Sequence, residues 1–141
     1  MDKDIPEYVL KWGDHNNQLL HIFQELWREK SFTDVTLSTE STTFQAHKLV
    51  LSACSPYFRS LFIANPSKHP VVFAKVNSQF ILLRFLLNCL QDISSEHMAL
   101  LLEYMYRGCI SVKQEELQDI LKSASTLQIR GSKLIVSPEI K

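Results

Sequence analysis

The sequence predicts one α+β domain, and three observations predict it. Apolar residues recur at helical spacing in three separate stretches, short β-branched runs lie between them, and a Ser-Pro pair restarts the chain as a helix near its middle. In order, residues 8–12 (YVLKW) alternate as a strand does, with Tyr8, Leu10 and Trp12 on one side. The polar stretch 13–17 then leads into a helix whose Leu19, Leu20, Phe23, Leu26 and Trp27 form one apolar stripe. A strand over Phe32–Leu37 places Asp34 among apolar and β-branched neighbours. A polar turn, a second strand at Thr43–Ala46 and an apolar run opened by His47-Lys48 and ending at Cys54 come next. Ser55 is a good N-cap, and Pro56 is tolerated at the first helical position.

The second half continues with a third strand, His69–Lys75 (HPVVFAK). Ser94-Ser95-Glu96 caps another helix, with Met98, Leu101, Leu102 and Met105 on its core face. Arg107-Gly108 stops it, a cation in the last turn and a glycine just beyond. Cys109–Val112 reads as a brief strand, and Glu115–Leu127 as a last helix with Leu117, Ile120, Leu121, Ala124 and Leu127 inward. Glu115 and Glu116 near its start complement the helix dipole.

Composition narrows the function. At 141 residues and 45% apolar, with few Gly and Pro, the chain is sized for a single packed core rather than a disordered tail. Lys and Arg together equal Asp and Glu at 15 each, and no basic run marks an arm for DNA, so direct nucleic-acid binding is not expected. Cys54, Cys89 and Cys109 are odd in number, widely spaced and without a C-x-x-C, which argues for a reducing compartment over a disulfide framework. The opening MDKDIPEY is acidic and poor in apolar residues, unlike a signal peptide.

Nothing in the pattern carries catalysis. His47 and Cys54 are seven apart, His97 and Cys109 twelve apart, with no paired ligands at zinc-site spacing. No Gly-rich loop or strained nucleophile turn accompanies any Cys–His combination. No enzyme activity, cofactor or metal is expected.

From Phe32 the chain reads FTDVTLSTESTTFQAHKLVLSACSPYFRSLF. This closely resembles the centre of a BTB/POZ domain, where a D-V-x-L strand is followed by F-x-A-H-K-x-V-L-x-A-x-S-x-Y-F. The opening YVLKWGDHNNQLLHIFQELW is similar to the tramtrack class of insect transcription regulators, whose domains begin F-x-L-R-W-N-N-H before a helix. The closing LKSASTLQIRG resembles that class's L-K-x-A-E-x-L-x-I-K/R-G. Gly13-Asp14 stands where the class has Asn-Asn, and Ser125 where it usually has Glu, departures that touch class-specific contacts rather than the fold.

The resemblance implies a helical cluster flanked by a small mixed sheet, spanning residues 8–131 with short tails at 1–7 and 132–141, and a strand-swapped dimer. In such a dimer Tyr8, Leu10 and Trp12 bring the N-terminal strand, while Leu19, Leu20, Phe23 and Trp27 divide between core and interface. Asp34 and Lys48 occupy the charged pocket of BTB dimers. A charge in an apolar groove is costly unless paired, so Lys48 is the expected partner of Asp34, within the chain or across the dimer.

Residues 76–91 (VNSQFILLRFLLNCLQ) fit neither the periodic reading nor the family. Deleting them joins HPVVFAK to DISSEHMALLLEYMYRG and restores the family spacing. Their apolar run is too short to span a bilayer, which takes roughly 18–20 residues. Two readings stand: translated intron, with frame kept, Val76 permitting a donor GT and Gln91 an acceptor CAG, or a true insertion packed on the domain. FILLRFLL is apolar, weakly charged and free of Pro, so the chain carrying it is expected to aggregate or to dimerise poorly.

The expected function is therefore homo- and heterodimerisation with itself and other BTB proteins, as the interaction module of a nuclear transcription regulator. No DNA-binding module is visible, which suggests a BTB-only isoform or a stand-alone adaptor, with co-regulators as further partners. The alternative is a BTB adaptor for a cullin-3 ubiquitin ligase, a use that normally needs helices after the domain. Neither reading involves a membrane.

Overall fold

The structure, a computed structural model, describes residues 4–73 and 93–131. Helix α1 (His15–Arg28) follows an N-terminal arm, residues 5–12, that has no regular secondary structure. Strand β1 (Val35–Ser38) and strand β2 (Thr43–Ala46) form an antiparallel hairpin in the register Val35↔Ala46 to Ser38↔Thr43. The chain then crosses through α2 (Lys48–Cys54) and α3 (Pro56–Ala64) to β3 (Val71–Phe73). That strand lies parallel to β1, pairing Leu37 with Val72, so the sheet is mixed and ordered β2-β1-β3. Helix α4 (Ser95–Arg107), a 3-10 turn (Gln114–Glu116) and α5 (Leu117–Thr126) complete the described fold.

The helix boundaries follow from local chemistry. The Ser55 hydroxyl accepts from the Phe58 N–H at 3.1 Å and donates to the Leu127 carbonyl at 2.5 Å, so one side chain caps α3 and ties it to the far end of the chain. The Ser94 hydroxyl likewise accepts from the His97 N–H, and Gly108 closes α4 in the left-handed region at φ +85°. Helix α1 ends without a glycine. Ser31 N–H returns to the Leu26 carbonyl and Lys30 N–H to that of Trp27, a Schellman closure that forces Lys30 to φ +58°.

One core joins both halves. Val35, Leu37, Ala46, Leu51, Phe58 and Val72 meet Ile93, Met98, Leu101, Leu102, Ile120 and Leu127, all buried. The inward positions expected for α4 are all buried, and Tyr106 joins them; in α5, Ile120 and Ala124 are buried while Leu117 and Leu121 are half-exposed.

Four expectations need correction. Residues 8–12 and Cys109–Val112 are not strands: a strand is defined by its ladder, and neither segment has a partner among the described residues of one copy. The first core strand begins at Val35 rather than Phe32, because Phe32 sits at φ +62°, where no strand residue can be. The last helix starts as a 3-10 turn before becoming α-helical at Leu117. The third strand covers only Val71–Phe73 among the described residues, and the insertion 76–91 and the tail 132–141 lie outside them.

Candidate functional site

Exposed large apolar side chains of the described chain concentrate at its N-terminus. Tyr8, Leu10 and Trp12 are 83%, 97% and 55% exposed, and Ile5 and Val9 are exposed beside them. Aromatic and aliphatic side chains left in water at this density mark an association surface. On α1 the stripe splits. Phe23 and Trp27 pack against the core, Leu20 is exposed, and half-buried Leu19 lines an open groove with Trp12, Asn17, Gln18 and Ile22. No residue of α1 is fully buried, although the helix is amphipathic. Ile22, exposed beside this groove, was not singled out in the sequence, because it sits at the margin of the apolar stripe.

The C-terminal end of α1 is clasped to the body by aromatic and imidazole groups. The Trp27 ring stacks on Tyr106 at 4.6 Å with planes 5° apart. His47 Nε2 lies 2.8 Å from the Ser31 carbonyl, which can only accept, so Nε2 carries the proton and Nδ1 accepts from the Tyr106 hydroxyl at 2.6 Å. The same hydroxyl accepts the His47 backbone N–H at 2.9 Å. Burial pushes the Tyr106 phenol well above its ordinary range; the His47 hydrogen bond opposes this, and the Asp34 and Cys54 charges add to it. Tyr106 was not among the sequence candidates. Its signal, a tyrosine on the core side of a helix that needs a polar partner, was present in principle.

Asp34 and Lys48 are brought together, but not as an ion pair. Asp34 Oδ1 accepts the Lys48 backbone N–H at 2.7 Å, so the carboxylate caps α2 from outside the helix. The Lys48 ammonium turns away and donates to the Ser67 carbonyl at 2.6 Å, with Lys68 O at 3.5 Å. The charge pair expected from sequence is thus replaced, within one copy, by two charge-to-backbone contacts. Both satisfy groups a helix or loop end leaves open, and so compete successfully with a direct bridge.

The C-terminal strap closes the opposite side. Arg130 N–H donates to the Cys54 carbonyl at 2.7 Å and its Nε to that of Ala53 at 3.0 Å, capping the end of α2. Burial raises the Cys54 thiol pKa, with Arg130 pulling the other way, so this cysteine is not poised as a thiolate. Among the described residues no group of three or more His, Cys, Asp or Glu side chains could hold a metal ion.

Comparison with known proteins places these features. A family model described as BTB/POZ domain matches residues 23–140. The Drosophila melanogaster Longitudinals lacking protein-like is 43% identical over 125 residues, covering 89% of this chain and 86% of the relative. The alpha isoform of Drosophila Protein tramtrack is 42% identical over 124 residues, 88% of this chain but 13% of that protein. Protein bric-a-brac 2 is 40% identical over 89% of the chain and 10% of its own length. Among solved structures, the BTB domain of zebrafish PATZ1 superposes with a TM-score of 0.70 at 25% identity, covering 92% of this chain and 93% of that one. The BTB domain of human Gigaxonin shares the fold with a TM-score of 0.64 at 23% identity, over 87% and 88% of the two chains.

Proposed function

The chain belongs to the BTB/POZ family, a protein-interaction fold, and on that premise we propose that it acts by associating with itself and with other BTB proteins through its N-terminal arm and α1. One observation carries the reading. Residues 8–12 and Cys109–Val112 both have strand patterning, and neither has a ladder partner among the described residues. In a two-fold dimer each arm supplies the strand that the other copy's 109–112 segment lacks, which satisfies both sets of backbone groups. Tyr8, Leu10, Trp12, Leu19 and Leu20 then leave water, while Phe23 and Trp27 continue to face the core of their own copy. By the family resemblance, Asp34 and Lys48 supply the charged pocket of that dimer.

The finer reading is an interaction module of a nuclear transcription regulator, which the likeness to Longitudinals lacking protein-like and to Protein tramtrack supports. Sedimentation of the chain lacking residues 76–91 tests association directly: a dimer or larger species is expected, and a stable monomer at micromolar concentration overturns it. Pull-down against tramtrack-class BTB proteins and, in parallel, against cullin-3 separates this reading from the ligase-adaptor one.

A further inference from the structure

The arm is exposed along its length but is not free at its root. The Trp12 indole N–H donates to Gln18 Oε1 at 2.8 Å, and the Trp12 ring meets the His15 ring edge-on at 4.7 Å and 69°. The Trp12 carbonyl accepts the His15 N–H at 3.2 Å, while Asn17 Nδ2 donates to the Asp14 carboxylate at 3.0 Å. The three contacts of Trp12 bridge Gly13, where a Cβ would meet nothing within 4 Å. An elbow built on an unencumbered glycine has no steric guidance of its own, so the angle at which the arm leaves α1 is set by the one main-chain bond from Trp12 and by the contacts of its side chain.

We propose that Gln18 is a positioning residue for association: by holding Trp12 it sets the arm in the direction in which it meets a second copy. The inference rests on the arm being the associating element. The second copy is the occupant because the arm upstream of Trp12 is exposed and has no ladder partner among the described residues, while its strand patterning is matched by the 109–112 segment, which likewise has none there and which every copy presents. Fixing the elbow in advance removes part of the ordering cost that a swinging arm pays on binding.

The test compares Gln18→Leu, Gln18→Glu and deletion of residues 1–11 in the chain lacking residues 76–91, with dissociation followed by fluorescence-detected sedimentation of a dilution series. Leu removes the acceptor, whereas Glu keeps one for the indole N–H and suits the first turns of a helix. Gln18→Leu is expected to weaken association by about three- to tenfold, the value of one hydrogen bond of ordinary net strength, and Gln18→Glu to stay within about twofold of the natural chain. The Trp12 indole N–H resonance should exchange slowly with water in the natural chain and the Glu variant, and rapidly in the Leu variant. If the deletion weakens association and Gln18→Leu does not, or if Leu and Glu weaken it equally, the elbow has no positioning role and the arm reading survives. If the deletion leaves association unchanged, the arm reading itself is wrong.

Discussion

The hydroxyl of Tyr106 serves His47 twice, accepting its backbone N–H at 2.9 Å and donating to its ring Nδ1 at 2.6 Å. Through the other ring nitrogen, 2.8 Å from the Ser31 carbonyl, the end of α1 is fastened to the start of α2 and the middle of the domain. This imidazole ties the loop that leaves α1 to the body of the domain.

Tyr106→Phe keeps the ring stacked on Trp27 but strands two His47 groups, and should cost about 1–3 kcal/mol in urea unfolding at neutral pH. The phenol also makes the domain alkali-sensitive. Its folded pKa is raised by burial, so above about 10 the unfolded chain releases the proton while the folded one retains it, and stability falls as pH rises. Unfolding curves from pH 7 to 11 should show this loss in the natural chain, and Tyr106→Phe should flatten the slope. An unchanged slope would remove Tyr106 as its source.

Asp34→Ala deletes the carboxylate that receives the Lys48 N–H and should cost about 0.5–2 kcal/mol, with Asp34→Asn milder because an amide oxygen still accepts. Since the Lys48 ammonium binds carbonyls elsewhere, Asp34→Asn and Lys48→Gln should add within about 0.5 kcal/mol. A double-mutant coupling well above that, seen only at dimer-forming concentrations, would place the two charges face to face across the subunits.

Removing residues 1–28 takes away the arm together with Phe23 and Trp27, which pack on the core, each such side chain worth about 1.5–3 kcal/mol when buried. Insoluble protein or an unstable monomer is the expected product. A well-folded monomer, by light scattering and cooperative melting, contradicts the swapped-arm dimer.

Two glycines with nearly the same backbone should respond differently to alanine. Gly108, at φ +85°, has open space where a Cβ would go, so Gly108→Ala costs only left-handed strain, about 1–2 kcal/mol. Gly131, at φ +83°, would place its Cβ 2.5 Å from the Tyr104 hydroxyl, so Gly131→Ala should cost more, by the displacement of that ring. Thermal melts of the two variants side by side rank them.

For residues 76–91, transcripts lacking the sixteen codons are expected, and the shorter product should be recovered in higher soluble yield. Retention of the segment in every read, with equal solubility of the two proteins, would establish it as a genuine part of the domain.

The elements most legible in the sequence were those whose ends are written in local chemistry. Ser55-Pro56, Ser94 and Gly108 each mark a boundary by a hydrogen bond or a backbone angle that only a few residue types supply, and the structure uses all three that way. Patterning failed where secondary structure depends on a partner. YVLKW alternates as a strand must, yet alternation records which faces differ, not whether a second strand lies alongside. Within one copy the Asp34–Lys48 ion pair is absent for a related reason. Opposite charges at plausible positions say nothing of the backbone amides and carbonyls that compete for them, and here both side chains were taken by the main chain. His47 was visible only as part of a motif, because its two ring contacts come from residues 16 positions before it and 59 after it.

The core shared between the two halves of the chain has a practical consequence. Val72 and Ile93 flank residues 74–92 in sequence and both belong to one buried cluster, and the pairs Thr39–Ser95, His47–Tyr106, Ser55–Leu127 and Cys54–Arg130 all join the first half to the second. Neither half can bury its apolar face alone, and each carries the groups the other needs. Severed within 74–92 and made as two polypeptides, the domain has the makings of a fragment-complementation pair, in which reassembly itself reports that the interior has closed.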